Sequence, residues 1–434
     1  MKKALFVCLG GLVVVFSVAG RPVQTDPPQF AAGTWQSVGP VGGNVIAVAA
    51  HPQNANELYA AAGISTTQIY KSTDGGQTWS RISTINSNSS DFAINPLNPN
   101  IMYVLVGWGI YKSTDKGATW TFYSFGANNY SSSGRLGVNR GDGNTVYASG
   151  YRYESAGTYY MTVYKSTDGG NTWTFSKLSP GASYAYTNGL AVSPTNANII
   201  YACGYYYSGT AYFYKVYKTT NGGNTWQDVS GSIYGTPYAV VLDPNNSNKA
   251  YVLISGKVFR TSDGGGTWAA SAGYVYGNDL AIDPVNTNIL FAGYNKTVYK
   301  SMDSGQNWTS YSTGLLGYCN HLLISPSGSS SQFTWGAGGG IFYGSTAGVF
   351  RSADGGTTWQ DISTGISANN VKALGIAGSS PNKLFAECAN NGFYKSDNFG
   401  ASWQRCADFY RCDAIERILV NPNDANEIYI LAGG

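Results

Sequence analysis

Charge is what this 434-residue chain has least of. Lys and Arg number 26 and Asp and Glu 23, so charged residues are 11%, against roughly a quarter in an average soluble domain. The net charge of +3 comes without a basic run, which removes the electrostatic footprint of a nucleic-acid binder. His51 and His321 are the only histidines, so a Cys/His zinc site has almost no ligands to draw on and no metal or other cofactor is expected. Cysteine is sparse too. Cys8 falls in an apolar leader, Cys406 and Cys412 are close enough to bridge across one loop, and Cys203, Cys319 and Cys388 leave an odd count that reads as core.

Long apolar runs are confined to one place. Met1-Lys2-Lys3 followed by Ala4 to Val18, with Ser17, Ala19 and Gly20 after it, has the basic start, apolar stretch and small residues of a secretory signal peptide. The run is too short to span a bilayer comfortably. Residues 1–20 are therefore read as a cleaved signal, 21–32 as a proline-containing linker, and 33–434 as the mature domain. The expected location is secreted or at the cell surface, with no membrane span in the mature chain.

What the chain has in abundance is Gly (56) and Tyr (34), with aromatics at 14%. The stretch Tyr70-Lys71-Ser72-Thr73-Asp74-Gly75-Gly76-Gln77-Thr78-Trp79 recurs seven more times, ending at Trp120, Trp173, Trp226, Trp268, Trp308, Trp359 and Trp403. The common pattern is Ser/Thr-x-Asp/Asn-x-Gly-x-x-Trp. Tyr-Lys-Ser alternates as a strand does. The carboxylate of Asp-x-Gly accepts nearby backbone N–H groups, and the glycine takes positive φ. The acidic position is Asp74, Asp115, Asp168, Asp263, Asp303 and Asp354, but Asn221 and Asn398 in two copies. Asparagine keeps the acceptor and loses the charge, so the position serves a turn and the motif is architectural.

Successive motif tryptophans are 41, 53, 53, 42, 40, 51 and 44 residues apart, the span of one four-stranded propeller blade. Midway in each unit lies a second pattern, as in Val48-Ala-Ala-His-Pro52 through Leu58-Tyr59, in which two strands flank a Pro-x-Asn-x-Asn turn. Each unit then reads as strands A to D. The A–B turn and the repeated motif fall on one face, the B–C and D–A loops on the other. The expected fold is an all-β propeller of four-stranded antiparallel blades, about eight in number (seven to ten), with the motif in each C–D turn. Gly33-Thr34-Trp35-Gln36-Ser37-Val38 looks like a returning strand without its motif, and Ile418 to Leu431 supplies only strands A and B. Either the N-terminal strand completes the last blade, or the chain is a fragment of a longer frame. The second reading is favoured.

Eight such copies resemble the Asp-box (BNR) repeat of sialidases, sortilin-type receptors and xyloglucan-degrading endoglucanases. The opening, Trp35 through Gly42-Gly43 and His51-Pro52 to Leu58-Tyr59, is similar to the start of the xyloglucan-type endoglucanases, in which the paired catalytic aspartates lie on two facing propellers. Of such a pair this chain would supply the first half. A sialidase would carry an Arg-Ile-Pro signature, which is absent. A sortilin-type receptor implies a larger peptide-binding ring followed by a cysteine-rich module, and no cysteine-rich segment occurs in this sequence.

Function is sought where the blades differ. At the start of strand A, five residues before the turn proline, the units carry Ala47, Asp91, Arg135, Gly189, Ala239, Asp279, His321, Ala373 and Arg417. Innermost strands line a propeller's channel, so this mixed column marks its mouth. Asp91 and Asp279 are weak catalytic candidates, since glycoside hydrolysis uses two carboxylates flanking the bond; they sit in the second and sixth units, far round the ring. Glu154 and Glu416 are the other acidic residues expected near the open face. Two enlarged B–C connections from neighbouring units carry Tyr151, Tyr153 and Tyr160, and Tyr205, Tyr207 and Tyr212. With Arg135 these form the candidate ligand-binding set. Flat phenol rings stack on pyranose faces while hydroxyls bond the rim, but long tyrosine-rich hairpins packed on each other read equally well. The preferred expectation is a module binding polysaccharide or cell-surface glycan on the face opposite the Asp boxes. The alternatives are the N-terminal propeller of a xyloglucan-type endoglucanase, or a structural or adhesive module with a protein partner.

Overall fold

The computed structural model describes residues 12–17 and 42–433, interrupted by short stretches of which 325–340 is the longest. The linker, Gly33 to Val38, Asn398, Cys406 and Cys412 lie outside the described residues. Two compact units emerge. One spans Val45–Ser363, the other combines the N-terminal residues to Asn44 with Thr364–Gly434.

Within Val45–Ser363 every sheet is a run of consecutive antiparallel strands. The first blade is Val45–His51, Asn54–Ala62, Thr67–Ser72 and Ser80–Ile85. Six sheets have this four-stranded form, beginning at Val45, Ser89, Tyr184, Pro237, Asp279 and Cys319. The third in order is five-stranded, because Asn129–Tyr130 pairs with Val146–Glu154 beside Leu136–Val138. The innermost strands touch in cyclic order, and Cys319–Ile324 of the seventh blade meets Val45–His51 of the first. The sequence led to about eight blades, within a range of seven to ten; six four-stranded sheets and one five-stranded sheet make up this unit.

The strands form because their residues suit a half-buried pleat. In the second blade Met102–Val106 is buried throughout, and the strands on either side, Ser89–Ile94 and Gly109–Ser113, mix buried and half-buried residues. The core lies between blades. Tyr59, Ile69 and Ile85 of the first sheet pack on Phe92, Met102 and Val104 of the second.

The other unit holds a four-stranded sheet, Val371–Ile376, Leu384–Cys388, Gly392–Ser396 and Gln404–Arg405. A three-stranded sheet accompanies it, in which Glu427–Gly433 pairs with Ala414–Val420 on one side and Leu12–Ser17 on the other. The apolar segment read as part of an export signal thus supplies an edge strand here. Gly42–Gly43 pairs in parallel with Ser367–Ala368.

The Asp turns show why their sequence repeats. Asp74 Oδ1 accepts the Thr78 amide at 2.9 Å and the Ser72 hydroxyl at 2.7 Å, while Oδ2 accepts the Thr78 hydroxyl at 2.6 Å. Gly76, at φ 90°, donates its amide to Ser72 Oγ, a conformation that carries no penalty only for glycine. Asn221 Oδ1 accepts Thr225 N and Thr219 Oγ1 in the same way, and its Nδ2 donates to Thr225 Oγ1. In blades one to six an amide of each turn also bonds the last asparagine carbonyl of the A–B turn, from Asn56 to Asn288, at 2.8–3.0 Å. Asp243 and Asp283 accept amides within their own A–B turns, as Asn95 and His51 do in theirs.

Candidate functional site

A bulge precedes the central column in five of the seven blades, displacing Ile46, Ser90, Asn188, Tyr238 and Asn320. The residues after the bulges are Ala47, Asp91, Gly189, Ala239 and His321, and among them Ala47, Asp91 and Ala239 are buried. Asp91 Oδ2 accepts the amide of Leu136 in the next blade at 2.7 Å, and Oδ1 accepts the amide of Phe92. Asp279 repeats the arrangement, accepting Leu322 N of the seventh blade at 2.8 Å. The bulged asparagines tie blades in the complementary sense. Asn188 Nδ2 donates to Pro237 O, and Asn320 Nδ2 to Val45 O. Asn278, preceding Asp279, donates to Cys319 O.

Arg135 of the third blade reaches across the centre. Its Nη2 lies 3.7 Å from Asp279 Oδ1 of the sixth blade, and its Nη1 is 3.5 Å from Ser90 O of the second. Burial works against the guanidinium charge, but Asp279 and then Asp91 outweigh it and raise its pKa above the ordinary value. Position round the ring therefore overstates how far apart the two aspartates act, because one long cation serves both. Both carboxylates are buried and engaged. His321 Nδ1 is buried nearby in the same column and has no hydrogen-bond partner.

The tyrosine-rich hairpins stand side by side. Tyr151 contacts Tyr130 at 5.4 Å and Tyr186 at 5.3 Å between ring centroids, and Tyr186 continues to Tyr205 at 5.6 Å. A second row runs Tyr153, Tyr159, Tyr184, Tyr207 and Tyr212. Strand alternation sorts the set. Tyr153 faces Tyr159 and Tyr207 faces Tyr212 across their hairpins, whereas Tyr160 is paired with Arg152 and carries Lys177 Nζ 4.0 Å from its centroid. Tyr160 thus stands apart from the others. Tyr184 and Tyr212 are more than half exposed, while Tyr151, Tyr153, Tyr205 and Tyr207 are half-buried. Tyr184 and Tyr186 belong to strand Tyr184–Val192, which also carries Gly189 of the central column. The aromatic rows and the axis share one element.

Among the described residues, Glu154, Cys203 and Cys319 are poorly placed for acid–base or nucleophilic chemistry, and the Glu416 side chain lies outside the described part of the structure. Lys177 and then Arg152 hold the Glu154 carboxyl below its usual pKa, with Lys177 Nζ 2.6 Å and Arg152 Nε 3.0 Å away, so Glu154 is an ionised partner at neutral pH rather than a proton donor. Burial pushes the Cys203 thiol up to about 12 and that of Cys319 well up, which leaves neither as a nucleophile. Among the described residues no cluster of His, Cys, Asp and Glu is arranged to hold a metal ion. No described helix is long and apolar enough to cross a membrane.

The Sortilin-Vps10 family model (Sortilin, neurotensin receptor 3) matches residues 67–200. A xyloglucanase of Hypocrea jecorina (strain QM6a) is 26% identical over 162 residues, which is 36% of this chain and 18% of that protein. Among solved structures, an ancestral GH74 enzyme superposes with a TM-score of 0.68 at 19% identity, over 90% of this chain and 58% of its own. The chain is an all-β propeller similar to these proteins. The GH74 xyloglucanase from Xanthomonas campestris gives a TM-score of 0.60 at 16% identity, over 90% and 71% of the two chains. At these identities the solved structures establish the shared fold. The chain spans under a fifth of the curated xyloglucanase and under two thirds of the ancestral enzyme.

In this propeller the aromatic face was only partly legible in the sequence. Tyr130, Tyr159, Tyr184 and Tyr186 belong to the rows but lie outside the two hairpin segments singled out, or were passed over within them. Tyr184 and Tyr186 open strand A of the fourth blade, and their spacing of two was the available signal. The interblade role of Asn188, Asn278 and Asn320 went unread, although each stands one residue before a member of the central column.

Proposed function

We propose that the chain is a polysaccharide-gripping propeller of a xyloglucan endoglucanase-type glycoside hydrolase. The observation that carries this reading is the seven-blade closure of Val45–Ser363, with a further blade-like sheet from Val371 to Arg405 in the other unit. One finished ring followed by a new blade is the layout expected of a two-propeller hydrolase. The tyrosine rows support it, since exposed phenol rings in file suit a chain of pyranoses. Asp91 and Asp279 are assigned to holding the ring, each accepting an amide from the next blade, and not to bond cleavage. The Asp boxes belong to the C–D turns as fasteners, and ligand binds on the opposite face. Secretion or display at the cell surface would bring the propeller to such a polysaccharide.

The test is retention on xyloglucan and other insoluble β-glucans, with release of reducing ends measured in parallel. Retention lost in Tyr184→Ala/Tyr212→Ala supports the grip. Binding without hydrolysis by the full-length protein would favour a plain binding module, and no retention on any polysaccharide would end the reading.

A further inference from the structure

The hairpins are not the only aromatic ground on this face. Tyr274 is 74% and Tyr276 46% exposed, and both lie in the D–A connection between Ala269–Ala270 of the fifth blade and Asp279–Ile282 of the sixth. Their aromatic rings are parallel within 9° at 6.3 Å. Tyr294, at the end of strand B of the sixth blade, follows at 5.9 Å from Tyr276 and is 38% exposed.

The group is built, not incidental. Lys257 Nζ is fixed by the Ser271 and Ala272 carbonyls at 2.9 and 3.2 Å and lies 5.3 Å from the Tyr274 centroid. Gly256, at φ 82°, makes the turn beneath both phenols, where a Cβ would be in ordinary contact at 3.4 Å from Tyr274 and 3.7 Å from Tyr276. The residues that hold the two aromatic rings in plane are thus a cation and a glycine turn, and the rings themselves stay open to solvent. Parallel phenols with polar rims suit flat-faced sugar rings in series.

We propose that Tyr274, Tyr276 and Tyr294 form a second stacking platform for polysaccharide, separate from the hairpin tyrosines of blades three and four. This inference rests on the polysaccharide reading above and adds to it. Both groups arise from B–C and D–A connections, so they open on the same face of one ring, with the fifth blade between them. A long glycan engages both at once, and the second contact becomes intramolecular. A short oligosaccharide fills either platform singly. Affinity then rises with chain length through effective concentration, without any new kind of contact.

The experiment is calorimetric titration of the full chain with a single-repeat xyloglucan oligosaccharide and with soluble xyloglucan polymer. Wild type is expected to take two oligosaccharides per chain and to bind polymer at least tenfold tighter than oligosaccharide. Tyr274→Ala/Tyr276→Ala should take one oligosaccharide with near-normal affinity and lose the length advantage. Tyr184→Ala/Tyr212→Ala should do the same from the other side. Unchanged melting temperatures certify that these exposed substitutions leave the fold intact. One oligosaccharide per wild-type chain, or a Tyr274→Ala/Tyr276→Ala protein with an undiminished length advantage, overturns the second platform while the polysaccharide reading stands. Absence of any binding by wild type overturns both.

Discussion

Asn320 donates its side-chain amide to the carbonyl of Val45 at 2.7 Å, across 275 residues of chain. With Trp79 Nε1, which donates to Ile362 O at 2.8 Å, it joins the seventh blade to the first. No strand is exchanged at this seam, so side chains and packing hold it. Asn320→Ala should lower stability by about 1–2 kcal/mol, the cost of leaving a partly buried carbonyl without its donor. Chemical denaturation measures it. An effect no larger than that of a substitution on an exposed strand would mean the seam does not depend on this bond.

Arg135→Met should cost more. It leaves buried Asp279 without its cation and removes the charge that favours Asp91, a loss of about 3 kcal/mol by analogy with broken buried pairs. The double change Arg135→Met/Asp279→Asn should recover part of that loss, because the amide carries no charge and its oxygen still accepts the Leu322 amide. A double variant less stable than Arg135→Met would contradict the cross-ring pairing.

Asp168→Ala should destabilise by about 1 kcal/mol or more, since Asp168 accepts Thr172 N, Thr172 Oγ1 and Asn171 N. Asp168→Asn should lose much less, because Asn221 already performs the same task in the fourth blade. Polysaccharide retention by the folded fraction should be unaffected in both. Loss of retention with an unchanged melting temperature would make the turn a binding element.

Acid should unfasten these turns. Bonds from the Thr119 hydroxyl and amide and then Ser113 hold the Asp115 carboxyl down at about 2, and Asp168 and Asp263 are lowered in the same manner. A folded-state value below the unfolded value of about 4 stabilises the fold fully above pH 4. That contribution disappears as pH falls from about 4 toward 2. Melting temperature should therefore be level near neutrality and drop steeply below pH 4, and the drop should shrink in a variant with several box aspartates changed to asparagine. An acid limb of the same size in that variant would assign the acid sensitivity to other groups.

The sequence carried the blade but not the ring. A turn such as Ser72-Thr73-Asp74-Gly75-Gly76 is decided by neighbours within a few residues, so its role was readable from spacing and from the Asn221 substitution alone. Blade number was not, because closure depends on where the seventh inner strand meets the first, and Asn320 and Val45 share no local pattern. Asp91 and Asp279 drew attention as carboxylates in a variable column, yet their partners are amides of the next blade, which sequence does not reveal. The hairpin tyrosines were legible because they cluster in the chain. Tyr274 and Tyr276 were not, since two tyrosines in an ordinary D–A connection carry no signal until Tyr294 is brought beside them.

Because each blade of Val45–Ser363 is made of consecutive strands, nearly all pairing is between chain neighbours. Such a β-protein avoids much of the delay that distant strand pairing imposes on folding. The exception is the seam. Bringing Asn320 to Val45 closes a loop of some 275 residues, whose entropic cost is on the order of 5 kcal/mol if the intervening chain is flexible. Blades already folded in between shorten the effective loop, so closure becomes easier with each one added. Assembly order is thereby biased: individual blades form early and the circle shuts last. Amide exchange should find the same hierarchy in the native state, with protection weakest where the first and seventh blades meet and strongest in the middle of the run.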